Sequence, residues 1–281
     1  MAQDRSYPPA PAPLPAPVTD NHTHIEPFQH FPAAPLTLGQ QVAAAAQVGV
    51  SRIVQCGCDL EAARWTANVA VGEPAVIGAI AIHPNEAARL AEAGAYEGAF
   101  AEIAELARST SRIRAVGETG LDYFRTGPAG RPAQLAAFRD HIQLAKELGL
   151  ALQIHDRDAH ADVIATLNDV GAPERTVFHC FSGDRAMAAL VAAQGWYCSF
   201  GGPVTFKSAG ELRAAVSELP PELVLVETDA PYLTPDPFRG RPNAPYMIPL
   251  TMAVLAEQMG LELERACHQI QENTTRAYGD W

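Results

Sequence analysis

RIRAVGE at 112–118, AQLAAFRDHIQLAKEL at 133–148 and LALQIH at 150–155 read in turn as strand, helix and strand. The two outer runs are short and rich in Ile, Val and Leu, as buried strands are. The middle run places Leu135, Phe138, Ile142 and Ala145 on one face at spacings of three and four, the period of an amphipathic helix. Working outward from this unit, the same alternation recurs along the chain. Strands are predicted over 18–22, 51–56, 75–82, 112–118, 150–155, 174–179, 195–200 and 222–228, with Ala-, Leu-, Glu- and Gln-rich helical runs between them. Thr37-Leu38-Gly39-Gln40 is a capping-box helix start, and Pro173, Pro220 and Pro221 punctuate the chain before strands six and eight.

Eight strands alternating with helices predict an α/β fold with a parallel sheet. The 281 residues suit a TIM (β/α)8 barrel, for which about 250 is typical. An open doubly wound sheet is the alternative, weakened by the lack of a G-x-G-x-x-G after the first strand. Residues 1–17 are rich in Pro and Ala and read as a disordered tail, leaving 18–281 as one catalytic domain.

Composition bounds the function. The chain is 48% hydrophobic and 19% charged, which excludes a disordered or collagen-like protein. No run approaches the roughly 20 apolar residues of a membrane helix. The net charge of −12 disfavours broad binding to long duplex nucleic acid but accommodates a carboxylate metal site. Five cysteines with no recognisable secretory signal predict reduced thiols and a cytoplasmic protein.

The polar residues gather at predicted strand ends. His22 and His24 end strand one with Thr23 between them, so their imidazoles project the same way and form a chelate for a transition metal. Glu118 ends strand four, His155 strand five, His179 strand six and Asp229 strand eight. In a barrel these six share the C-terminal rim, where such enzymes place their sites. Four histidines and two carboxylates exceed one tetrahedral zinc site and suit two divalent ions.

Seven ordered motifs then carry a resemblance: DNHTH at 20–24, AIHPN at 81–85, GETGLDYF at 117–124, IHDRDA at 154–159, HCFSG at 179–183, SFGGPVTFK at 199–207 and ETDAPYLTP at 227–235, followed by RGRPNAP at 239–245. From about residue 18 to 278 the chain resembles the TatD-like metal-dependent hydrolases of the amidohydrolase superfamily. The resemblance implies a TIM barrel of the metallo-dependent hydrolase type, a binuclear site, and phosphodiester hydrolysis as a deoxyribonuclease acting on DNA ends. It implies that His22, His24, Glu118 and Asp229 hold one ion and that Glu118, His155 and His179 hold the second, with Glu118 bridging. It also makes Asp229 the acid/base group and turns His83 toward the scissile phosphate or leaving group. The chain departs from the family at Ile25-Glu26 and at Asn243-Ala244-Pro245, where a glutamate is frequent, and neither change removes a ligand. No lysine lies in 108–125, so the bridging position is a plain carboxylate rather than a carboxylated lysine.

Other residues divide between function and packing. Arg157 and Arg241 are candidates for phosphate contact or for ordinary salt bridges. Tyr123, Phe124 and Tyr232 are candidates for stacking on bases or for loop packing. Asp20 either orients His22 or bonds to backbone. Cys56, Cys58 and Cys180 read as structural, and His30, His141, His160 and His268 as ordinary residues. The metal-site chemistry together with what the resemblance implies predicts a 3′→5′ DNA exonuclease using magnesium, manganese or zinc on single-stranded ends, with no membrane and no obligate protein partner. A hydrolase of a small-molecule or aminoacyl-tRNA ester is the alternative, and a non-catalytic interaction protein is opposed by the complete ligand set.

Overall fold

The structure is a computed structural model that describes residues 5–27 and 36–281. Its strands are β1 (Val18–Thr23), β2 (Val50–Gly57), β3 (Val76–Ile80), β4 (Ile113–Asp122), β5 (Ala151–Arg157), β6 (Thr176–Phe178), β7 (Tyr197–Phe200) and β8 (Val224–Val226). Helices intervene: α1 (Leu38–Gln47), α2 (Leu60–Gly72), α3 (Pro84–Glu92), α4 (Tyr96–Ser109), α5 (Arg131–Leu148), α6 (His160–Val170), α7 (Arg185–Ala193), α8 (Gly210–Glu218), α9 (Ile248–Gln258) and α10 (Leu263–Tyr278). The strand order is β1 to β8 in chain order, the TIM (β/α)8 class. Each predicted strand is present. The strands are buried almost throughout, because a parallel sheet flanked by helices hides both faces. Among the described residues, no helix is long and apolar enough to cross a membrane.

The chain divides into two compact units, Met1–Gln55 with Gly183–Arg276, and Cys56–Ser182 with Ala277–Trp281. In the first unit, β1 pairs with β2 (Asp20 beside Ile53) and β7 with β8 (Phe200 beside Val226). Past β8 the chain runs on beside β1: Asp229 N donates to His22 O at 3.0 Å and His24 N to Ala230 O at 2.7 Å. Helix α1 starts with the predicted capping box, Gln40 N donating to Thr37 Oγ1.

Residues 5–17 differ from the expected disordered tail. Leu14 N donates to Val48 O at 3.0 Å, and Leu14 and Ala16 are buried. Tyr246 Oη donates to Pro8 O at 2.6 Å. Arg241 donates to Ser6 O (2.9 Å), Ser6 Oγ (3.0 Å) and Tyr7 O (2.8 Å). A proline-rich segment forms no helix or sheet ladder, but its carbonyls remain acceptors, and here side chains distant in sequence use them.

In the second unit, β3 pairs with β4, β4 with β5 and β5 with β6. Phe138, Ile142 and Ala145 of α5 are fully buried as their spacing predicts, while Leu135 is half-buried. Strand β4 extends to Asp122, beyond the predicted end at 118. Val116 pairs with Leu152 and Thr119 with Ile154, so β4 carries one extra residue there, a β-bulge. Two glycines admit it. A Cβ on Gly117 would lie 2.4 Å from Gln153 Cβ, and one on Gly120, at φ +133°, would lie 2.1 Å from His155 O.

Candidate metal sites

The first unit gathers His22, His24 and Asp229. Strand alternation in β1 puts both imidazoles on one side, and their Nε2 atoms are 3.2 Å apart. Asp229 Oδ1 lies 3.5 Å from His24 Nε2 and 3.8 Å from His22 Nε2. Asp229 is not at the end of β8, as the sequence suggested, but three residues beyond it, at φ +54°. Asp tolerates that left-handed conformation better than most residues, and the bond from its N–H to His22 O fixes the turn. Asp20 takes the backbone alternative: it accepts from Thr228 N (2.9 Å), Thr228 Oγ1 (2.5 Å) and His22 N (3.4 Å). Burial pushes its carboxyl up to about 8 despite those bonds.

The loop after Asp229 is braced from within. Asn243 Nδ2 donates to Thr228 O (2.9 Å) and Tyr232 O (2.7 Å), and Thr234 Oγ1 donates to Arg241 O. Tyr232 stands 44% exposed, its ring 6.3 Å from that of His24. Arg241, the expected phosphate contact, instead uses its guanidinium to hold Ser6 and Tyr7.

The second unit gathers Glu118, His155 and His179. Glu118 sits at the β4 bulge rather than at the strand's end, and His155 lies inside β5 with two strand residues after it. His179 follows β6 directly, as predicted. Glu118 Oε2 lies 2.6 Å from His179 Nε2 and 3.0 Å from His155 Nδ1, and those two nitrogens are 3.4 Å apart. Burial would raise the Glu118 carboxyl, but the imidazoles of His179, His83 and His155 outweigh it and hold the group well below the usual carboxylate range.

Two residues join this set that the sequence reading had not placed there. Asp122 Oδ2 is 3.4 Å from His155 Nε2 and accepts from Asn85 Nδ2 at 2.9 Å. Cys58 Sγ donates to Glu118 Oε1 at 3.1 Å. Same-side spacing along each strand was the available signal: Asp122 is four residues past Glu118, and Cys58 two past Cys56. Cys180 is half-buried at φ +42° in the turn after β6, not a strand core residue.

His83 lies past the end of β3 and caps α3, its Nδ1 accepting from Asn85 N at 3.1 Å. An accepting Nδ1 leaves the proton of a neutral imidazole on Nε2, which sits 4.0 Å from Glu118 Oε2. Burial drives the pKa of His83 down to about 3 against the pull of Glu118, which keeps it in that neutral form. Arg157 stacks over exposed Phe124 at 4.5 Å. Tyr123 is already engaged, its Oη donating to Asp162 at 2.6 Å and Arg131 lying 4.0 Å over its ring. His141 is fully buried, and His160 Nδ1 is 2.7 Å from Asp156 Oδ2. His30 lies outside the described residues.

Both sets fit a divalent ion. Ligand atoms about 2.0–2.2 Å from an ion lie roughly 3–3.5 Å from each other. The donor atoms of each set already stand close to that spacing, and imidazole nitrogen with carboxylate oxygen is the mixture that zinc and manganese accept.

A family model described as "TatD related DNase" matches residues 19–279. A Mycobacterium tuberculosis protein named "Uncharacterized metal-dependent hydrolase TatD" is 42% identical over 266 residues, covering 93% of this chain and 98% of its own. The Bacillus subtilis metal-dependent hydrolase YabD is 34% identical over 260 residues, covering 92% and 98%. Among solved structures, the TatD homologue YjjV of Escherichia coli matches with a TM-score of 0.83 at 26% identity, covering 94% of this chain and 98% of its own.

Proposed function

The chain belongs to the TatD-related DNase family and is a metal-dependent hydrolase, and from that premise we propose that the bond it cleaves is the phosphodiester at the 3′ end of single-stranded DNA. The observation that carries the reading is the Glu118–His155–His179 set, with Glu118 and His179 buried and His155 half-buried, whose donor atoms stand 2.6–3.4 Å apart. Two divalent ions are needed, one for the histidine pair with Asp229 and one for the Glu118 set. When bound, such ions acidify water and neutralise phosphate charge.

The chain's own residues supply the rest. Asp229, at 14% the most exposed side chain of its set, takes the proton of the attacking water on its carboxylate oxygen Oδ2, leaving Oδ1 to the histidine pair and its ion. His83 donates from Nε2 toward a phosphate or leaving-group oxygen, as its accepting Nδ1 requires. Arg157 offers paired donors to a phosphate, and Phe124 beside it a ring for a base. Tyr232 offers a second exposed ring; Tyr123 contributes by fixing the segment that carries Phe124. With a net charge of −12, affinity for long duplex is low, and a short single strand needs few phosphate contacts.

The test is a 3′-protruding oligonucleotide labelled at its 5′ end, incubated with magnesium, manganese or zinc, with Asp229→Asn as control. A ladder of shortened products from the wild type alone is the expected result. An intact oligonucleotide with every metal overturns the nuclease reading, and a screen of small-molecule and aminoacyl-tRNA esters then identifies the bond.

A further inference from the structure

We propose that Cys56 and Cys58 are a reversible oxidation site that couples the hold on Glu118 to thiol redox state. Their Sγ atoms are 3.9 Å apart, on the same side of the chain at the end of β2. Cys58 is half-buried, so a small oxidant reaches it, and its thiol donates to Glu118 Oε1 at 3.1 Å. The other carboxylate oxygen, Oε2, faces His155 and His179. The thiol therefore holds one oxygen of the carboxylate while the other meets the two imidazoles.

Hydrogen peroxide is the two-electron oxidant. Cys58 is oxidised to a sulfenic acid and the peroxide oxygen is reduced, releasing water. The Cys56 sulfur then attacks the Cys58 sulfur; the S–S bond forms, the S–O bond breaks, and the hydroxyl leaves as water with the Cys56 proton. The product has no S–H on Cys58, so Glu118 Oε1 loses this donor, and the sulfur swings toward Cys56. Cysteines two apart on an extended strand have Cα atoms roughly 6.6 Å apart, near the upper limit for a disulfide. A bond formed there is strained and easily reduced, which suits a switch better than a staple. The Sγ atoms, already 3.9 Å apart, close the remaining gap by side-chain rotation, since the backbone there is held by Ala81 N donating to Gly57 O at 3.1 Å and His83 N to Cys58 O at 2.9 Å. Cys198 and Cys267 are buried, and burial pushes both thiols up, away from the reactive thiolate.

The inference rests on Glu118 as a metal ligand, not on the DNA substrate. The full-length reduced protein is freed of reductant, treated with hydrogen peroxide, and read in two ways: thiols counted by alkylation in denaturant, and zinc or manganese affinity by titration. The five thiols should fall by two, with a Cys56–Cys58 linked peptide, and metal affinity should drop about tenfold, the scale for losing a ligand's supporting bond. Dithiothreitol should restore both. Cys56→Ser and Cys58→Ser, each compared with its own untreated protein, should show no drop in metal affinity under peroxide, because neither can form the bridge. Retention of all five thiols, a bridge elsewhere, or a Cys56–Cys58 bridge with unchanged metal affinity overturns the proposal. A reduced protein that binds no metal overturns the metal reading itself and the coupling with it, whatever the thiol count.

Discussion

Glu118 Oε2 lies 2.6 Å from His179 Nε2, a contact between the bulge of β4 and the residue after β6. Two buried groups held this close need each other or an ion between them. Glu118→Gln keeps the shape and removes the charge. Metal content of this set should fall and turnover should drop by about 100-fold or more, since a lost ligand costs at least what a lost supporting bond does. Elemental analysis of the purified variant, beside its rate, checks this; full metal content would remove Glu118 from the ligand set.

Asp229→Asn separates chemistry from folding. The side chain is 14% exposed and its backbone N–H, not its carboxylate, ties the loop to His22. The melting temperature should stay within a few degrees of wild type, while the rate drops about 10²–10⁴-fold, the worth of a general base. Unchanged turnover would assign the proton to another group.

The N-terminal segment should matter to stability. Three hydrogen bonds join Arg241 to Ser6 and Tyr7. Deleting residues 1–9, or making Arg241→Ala, should each cost about 1–2 kcal/mol after allowing for solvent exposure. The two changes together should cost little more than the deletion alone, because the deletion already removes the three Arg241 bonds along with that from Tyr246 to Pro8 O. Urea unfolding of the single and double variants measures this, and simple additivity would show that the segment and Arg241 act separately.

His141 should make stability depend on pH. It is fully buried in α5, its Nε2 accepting from Ile82 N at 3.2 Å and its Nδ1 2.7 Å from Ala137 O. Burial lowers its pKa from 6.5 to about 4. The unfolded chain therefore binds this proton first. The stabilisation is complete above pH 6.5 and is lost as pH falls toward 4, reaching about 3 kcal/mol in all. Between pH 7 and pH 5 the wild type should lose about 2 kcal/mol more than His141→Gln, whose side-chain oxygen can still accept from Ile82. Equal losses in the two proteins would mean that His141 is not the titrating group.

The sequence by itself determined the eight strands, the helix between β4 and β5, the capping box at Thr37, and the pairing of His22 with His24 on one side of β1. Each of these is written locally. Strand and helix periods fix which side chains share a face within a few residues, so His22 and His24 are a pair before anything folds. Only the tertiary structure decided that Glu118 sits at a bulge, that Asp122 and Cys58 reach the Glu118 set, and that Arg241 grips residues 6 and 7 rather than facing outward for a phosphate. These depend on register between strands and on the closure of long loops. A one-residue slip reverses every face it touches, and no local window of sequence records which distant carbonyl a guanidinium will find.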